Sequence, residues 1–253
     1  MHILATNDDG VFHPGLLALV QAMRGLGKVT VLAPDRNWSA SGHVKTLHRP
    51  LRVKDVKLAD GTPAMACDGA PSDCVALAFL GLVEEPVDLV VSGFNPFANL
   101  GYDLTYSGTV TAAMEGAIHG CPAAAFSVDG SEETPVTDYG PSADVARRVV
   151  ELMLAHQLPP NVLLNVNIPA QPEDRILGYR ITRQGLRIYH DRLLRRADPR
   201  GRPYYWIGGE APTGVREEGT DIGALAAGYV AISPVTLDLT AYALMPAMEG
   251  WLK

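Results

Sequence analysis

Short apolar runs that stop at Gly, Pro, Asn or Asp recur through the first half of the chain, with helical patterns between them. His2-Ile3-Leu4-Ala5-Thr6 reads as a buried strand closed by Asn7-Asp8-Asp9-Gly10, and Lys28 to Ala33 as a second closed by Pro34-Asp35. Val87 to Val91, closed by Ser92-Gly93, and Ala123 to Val128 repeat the pattern. The first helix opens at Pro14, carries Leu16, Leu17, Leu19, Val20, Met23 and Leu26 as its apolar stripe, and stops at Gly27. Further helices are expected over about 72–82 and, rich in Ala, over 109–119. Strands with almost no polar alternation need cover on both faces, which predicts a mostly parallel sheet between two helix layers, an α/β fold.

The second half is less regular. Residues 142–156 read as a helix, 161–168 as a strand and 178–182 as a further strand. Between 186 and 209 the periodicity breaks, with Arg187, Arg192, Arg195, Arg196, Arg200 and Arg202 crowded before Tyr204-Tyr205-Trp206. This segment is expected to project as an extended arm or hairpin. A Gly/Ala-rich helix and a strand at 229–232 follow within 220–232. With no internal repeat and no low-complexity linker, residues 1–253 are expected to form a single domain bearing that arm.

Composition narrows the function classes. At 47% hydrophobic and 19% charged, the chain has material for a sizeable core. A formal net charge of −7 repels nucleic-acid phosphates, so no nucleic-acid partner is expected, although a small phosphorylated ligand is compatible. The arm's arginines and aromatics suit a subunit interface better than a nucleic acid. Cys67, Cys74 and Cys121 have no metal-like spacing and read as buried reduced thiols. No apolar run approaches a membrane span, so no membrane partner is expected. Met1-His2-Ile3-Leu4 lacks a basic region, so no secretory leader is expected either, and the anticipated location is cytoplasmic.

In open α/β sheets ligands bind beyond the carboxyl ends of the strands. Three such ends carry unusual polar residues: Asn7-Asp8-Asp9-Gly10, Asp35-Arg36-Asn37-Trp38-Ser39 and Ser92-Gly93-Phe94-Asn95. Adjacent carboxylates at a strand end repel unless a cation lies between them. Oxygen donors without Cys or a His pair select a hard ion, Mg²⁺ or Mn²⁺. A turn with a helix N-cap is the competing reading of Asp8-Asp9-Gly10. Tyr106-Ser107-Gly108-Thr109 precedes the Ala-rich helix, where Ser107 or Thr109 would serve as an N-cap or the backbone amides would hold a phosphate. Asn99 and Gly101 lie just upstream. Neither GxxxxGK[ST] nor GxGxxG occurs, which argues against ATP use and hydride transfer. A divalent metal beside an anion site points to phosphate-ester hydrolysis.

The segments TNDDG (6–10), VTVLAPDRNWS (29–39), LHRPLRV (47–53), VVSGFNPFANLG (90–101), YSGTVTAAMEG (106–116), LLNVNIP (163–169), DPRGRPYYWIGG (198–209) and EEGTD (217–221) resemble the SurE family in the family's order. The resemblance implies a Rossmann-like three-layer sandwich and a metal-dependent nucleotidase acting on nucleoside 5′- and 3′-monophosphates. It implies one Mg²⁺ or Mn²⁺ per subunit, held by Asp8, Asp9, Ser39 and Asn95, and homodimers or homotetramers built partly through C-terminal segments. Asp8 and Asp9 would carry the catalysis, with the metal as Lewis acid and water as nucleophile. Asn99, Ser107, Gly108 and Thr109 are the expected phosphate contacts. His43 is either a solvent-exposed loop residue or a phosphate contact or proton donor. The family's Gly-Ile-Asn-x-Gly stands here as Gly93-Phe94-Asn95-Pro96-Phe97, where Pro96 and Phe97 bear on substrate preference. Two alternatives share the acidic pair: a metal-gated nucleotide-binding sensor without turnover, and a glycosyltransferase, against which the absence of DxD spacing counts.

Overall fold

The strand His2–Thr6 (β1) is buried along its whole length because helices cover both its faces. Ile3 and Ala5 face one apolar cluster and Leu4 the other, as the two-residue period of a strand requires. The structure, a computed structural model, describes residues 1–252. After β1 come helix α1 (Pro14–Met23), β2 (Lys28–Pro34), β3 (Val53–Lys57), β4 (Pro63–Cys67) and α2 (Pro71–Leu77). They are followed by β5 (Leu89–Asn95), α3 (Gly108–Ile118), β6 (Ala123–Asp129), α4 (Gly140–Ala155) and β7 (Val162–Pro169). The chain closes with β8 (Tyr179–Ile181), β9 (Arg187–Ala197), β10 (Pro203–Gly214), α5 (Asp221–Ala226), β11 (Val230–Thr236) and α6 (Met245–Trp251).

Nine strands form one sheet in the order β3-β4-β2-β1-β5-β6-β7-β11-β8. The pairings from β4 through β7 are parallel, while β3 on β4 and β11 on β7 are antiparallel. Leu16, Leu19 and Val20 of α1 pack with Val145, Val149 and Val150 of α4 on one face. Cys74 and Val75 of α2 pack with Val110, Ala112 and Ala113 of α3 on the other. The expected three-layer, mostly parallel sandwich is therefore the architecture. All three cysteines are free and buried. No helix among the described residues is long and apolar enough to cross a membrane.

Several boundaries differ from the sequence reading. The strand expected to close at Ser92-Gly93 runs on to Asn95, because Asn95 still pairs with Ser127 after an irregularity. The helix expected over 72–82 breaks into α2 and a wider final turn at Ala78–Leu82, with Gly81 at positive φ. β3 and β4 went unread, since Val53–Lys57 carries three charged residues and is an exposed edge strand. The arm is longer than 186–209: β9 and β10 form an antiparallel hairpin spanning Arg187 to Gly214. Its base is fixed by Arg187, 2.9 Å from Asp103, and by the Tyr189 hydroxyl, which donates to Asp103 at 2.8 Å.

Candidate active site

Asp8 and Asp9 leave the carboxyl end of β1, which lies between β2 and β5 in the sheet. Ser39 follows β2 and Asn95 ends β5, so all four expected ligands come from three adjacent strand ends. Gly10, at φ 104°, turns the chain immediately after the acidic pair, in a conformation that side-chain-bearing residues rarely adopt. The Asn7 side-chain amide donates to Gly10 O at 3.0 Å and holds that turn. Trp38 N–H donates to Asp8 O at 2.7 Å, tying the β2 loop to the β1 end. Asn37 then bridges the two loops. Its amide donates to Asp9 Oδ1 at 3.4 Å, and its carbonyl accepts the Ser39 N–H at 2.7 Å. The Asn95 amide donates to Phe97 O, which leaves the Asn95 carbonyl oxygen as its available donor to a cation.

Helix α3 points its N-terminus at this pair. Thr109 donates its hydroxyl hydrogen to Asp8 Oδ1 at 2.5 Å. A Cβ on Gly108 would lie 2.7 Å from Asp8 Cβ, so only glycine fits there. Burial raises the Asp8 carboxyl above its ordinary range, opposed by the Thr109 hydroxyl and by backbone amides that include those of Gly108 and Thr109. Asp9 is pushed up to about 7, first by burial and then by the charge of Asp8. Asp9 Oδ2 is buried without a hydrogen-bond partner. Two carboxylates this close and this poorly solvated oppose joint ionisation unless positive charge is supplied. Two carboxylates with neutral Ser and Asn oxygens fit a hard divalent ion, and the unpartnered Asp9 oxygen is the observation that carries the fit.

The expected phosphate contacts divide. Thr109 and Gly108 lie against Asp8. Ser107 is the N-cap of α3, its hydroxyl accepting from Val110 N at 3.1 Å, so the capping alternative holds for Ser107. The Asn99 amide donates to Ser127 Oγ at 2.8 Å, while its backbone is held by Asn165 and Asn167. His43 is the exposed loop residue of its first expected reading, and its Nε2 also lies 2.9 Å from Glu115 Oε2. It clasps the serine loop to α3, a role that depends on a residue 72 positions away. Ser41, two residues beyond Ser39, has its Oγ buried and unpartnered.

Sequence reasoning missed several neighbours. His13, N-cap of α1, accepts from Gly15 N through Nδ1 and lies 3.9 Å from Asp9 Oδ2. Burial lowers the pKa of this ring beside Asp9. Glu115 is buried yet meets His43, Lys45 and His119, and it is held down to about 2, chiefly by the His43 contact. A polar residue inside an Ala-rich apolar helix was the available signal. The alternating asparagines of Asn165-Val166-Asn167 were the signal for the network that fixes Asn99.

The chain is similar to known proteins in sequence and in fold. The family model described as survival protein SurE matches residues 3–191. The chain belongs to the SurE family. A curated relative named 5′-nucleotidase SurE from Herpetosiphon aurantiacus is 54% identical over 95% of this chain and 94% of its own length. A second of that name from Chloroflexus aggregans is 50% identical over 99% of both chains. The crystal structure of the SurE protein from Aquifex aeolicus superposes with a TM-score of 0.84 at 42% identity, covering all of both chains. The SurE-like segments of the sequence thus converge in space: TNDDG forms the β1 turn, the Ser39 loop lies across Asn37 from it, and YSGTV opens α3 against Asp8.

Proposed function

We propose that this SurE chain is a phosphomonoesterase that hydrolyses nucleoside 5′-monophosphates, and 3′-monophosphates as well, with a divalent ion held by Asp8, Asp9, Ser39 and Asn95. The names of its relatives support the nucleotidase reading. The buried acidic pair with an unpartnered Asp9 oxygen is the single observation that supports the ion. Mg²⁺ or Mn²⁺, one per subunit, would draw charge from the phosphoryl oxygens and ease proton loss from the attacking water.

The chain's own residues supply positioning and a proton acceptor. Thr109 and the α3 N-terminus fix Asp8 in one orientation. Asp9, with its free oxygen, is the candidate to orient the attacking water and take its proton. The backbone amides of Gly108 and Thr109 carry the partial positive charge of a helix start, suited to phosphoryl oxygens. Asn99, locked from three sides, offers a rigid wall to the same group. Direct attack by water is favoured over an aspartyl-phosphate, because a carboxylate neutralised by a cation is a poor nucleophile.

The hairpin supports a homodimer or homotetramer: Leu193, Tyr205, Trp206 and Ile207 are all exposed on it, more apolar surface than a free arm tolerates. The test of the activity is release of inorganic phosphate from adenosine 5′- and 3′-monophosphate, measured after chelation and after return of Mn²⁺ or Mg²⁺. Activity lost and restored is expected. Full turnover in chelator would sink the metal reading, and nucleotide binding without phosphate release would replace the enzyme with a sensor.

A further inference from the structure

A cavity of about 490 Å³ opens beside the Asn95 loop, between that loop, the turn after β6 and the base of the hairpin. Phe97, Asp129, Glu132, Glu133, Arg187 and Pro212 are among its lining residues. Phe97 is 48% exposed, although a phenyl ring in water forfeits the burial that would stabilise it. Its backbone is not free to move the ring away. Phe97 O accepts from the Asn95 amide, and Gly130 N donates to the neighbouring Pro96 O at 3.2 Å. These bonds fix the backbone that carries the half-exposed ring, two residues from an expected metal ligand and two from Asn99. Two residues of chain span at most about 7 Å, roughly the reach of one ribose.

Charge restricts the occupant. Three acidic residues, Asp129, Glu132 and Glu133, line it with one guanidinium, that of Arg187, which is itself paired with Asp103. Such a lining repels a chain of further phosphates but accepts hydrogen bonds from ring amino groups and ribose hydroxyls. The volume falls in the range of small-molecule sites.

We propose that this cavity is the nucleoside subsite, with Phe97 as the stacking platform for the base, and that it selects nucleoside monophosphates over ribose phosphates and polyphosphates. The proposal rests on the nucleotidase reading for its orientation toward the phosphate. A flat π-face on a rigid loop favours any base, since every base has a π-face, whereas a bare sugar phosphate gains nothing from it.

The test compares kcat/KM for adenosine 5′-monophosphate and for ribose 5-phosphate in wild type, Phe97→Ala and Phe97→Tyr, all at saturating Mn²⁺. In Phe97→Ala the preference for the nucleotide should fall about tenfold, through KM, and Phe97→Tyr should restore it to within about threefold. Glu132→Gln/Glu133→Gln should raise the relative rate on tripolyphosphate. An unchanged preference in Phe97→Ala, or equal losses on both substrates, would overturn the subsite. If the wild type hydrolyses neither substrate, the nucleotidase reading falls on its own. Calorimetric titration with adenosine, which carries no phosphate, then decides the subsite. Binding that weakens about tenfold in Phe97→Ala supports it, and no binding to the wild type refutes it.

Discussion

Thr109 donates a 2.5 Å hydrogen bond to the buried Asp8 carboxylate across 101 residues of sequence. That bond joins the start of α3 to the end of β1 and fixes which oxygen of Asp8 remains for other partners.

Thr109→Val should therefore remove a hydrogen bond to a charged group, worth about 1.5–3 kcal/mol, and lower kcat about tenfold to hundredfold. Thr109→Ser should retain most activity. Gly108→Ala should be worse than either, because its methyl would sit 2.7 Å from Asp8 Cβ. Steady-state kinetics with thermal melts of each variant checks the ranking; a fully active Gly108→Ala would contradict it.

The raised pKa of Asp9 makes a sign-definite statement about stability in chelator. Its ordinary value of 3.8 applies to the unfolded chain and about 7 to the folded one. The folded state therefore binds the proton more tightly, and this contribution is fully present below 3.8 and lost as pH rises through about 7. Asp9→Asn should abolish that loss, on the order of 2 kcal/mol, and raise Tm at pH 8 by roughly 5 °C over the metal-free wild type. Scanning calorimetry at pH 5 and 8 tests it. A Tm of the variant below wild type at pH 8 would show that the pair is not repulsive.

Ser39 and Ser41 are separable. Ser39 reaches Asp9 through one side chain, Asn37, whereas Ser41 has its hydroxyl buried in the loop. Ser39→Ala should raise the Mn²⁺ concentration for half-maximal activity by roughly tenfold, about 1.4 kcal/mol, and Ser41→Ala by less than about threefold. A larger shift in Ser41→Ala would make Ser41 the ligand.

The hairpin should act in assembly. Deleting the hairpin within Arg187 to Gly214, joined by a short Gly-Ser linker, removes both strands together and leaves no unpaired edge. Light scattering should then report fewer subunits per particle. An unchanged subunit number would dismiss the hairpin as an interface.

Much of this molecule was legible in its residues. Continuous apolar runs disclosed the central strands, and period-3.6 apolar patterns the helices beside them, because burial on both faces leaves a strand few polar positions. Asp8, Asp9 and Asn95 were legible for a related reason, as oxygen-bearing residues at the carboxyl ends of apolar strands, whereas Ser39, five residues beyond β2, was set apart from Ser41 only by the family resemblance. The charged edge strand β3 was not, since its side chains face water and its identity rests on backbone pairing with β4.

What only the tertiary structure decided concerns partners distant in sequence. Asp8 meets Thr109, His43 meets Glu115 and Asn99 meets Ser127 and Asn167. No local pattern specifies these pairs. Hydrogen bonds depend on directions and separations that the packing of α3 and β6 against the sheet creates, whereas the apolar periodicity that drives that packing is written in each segment by itself.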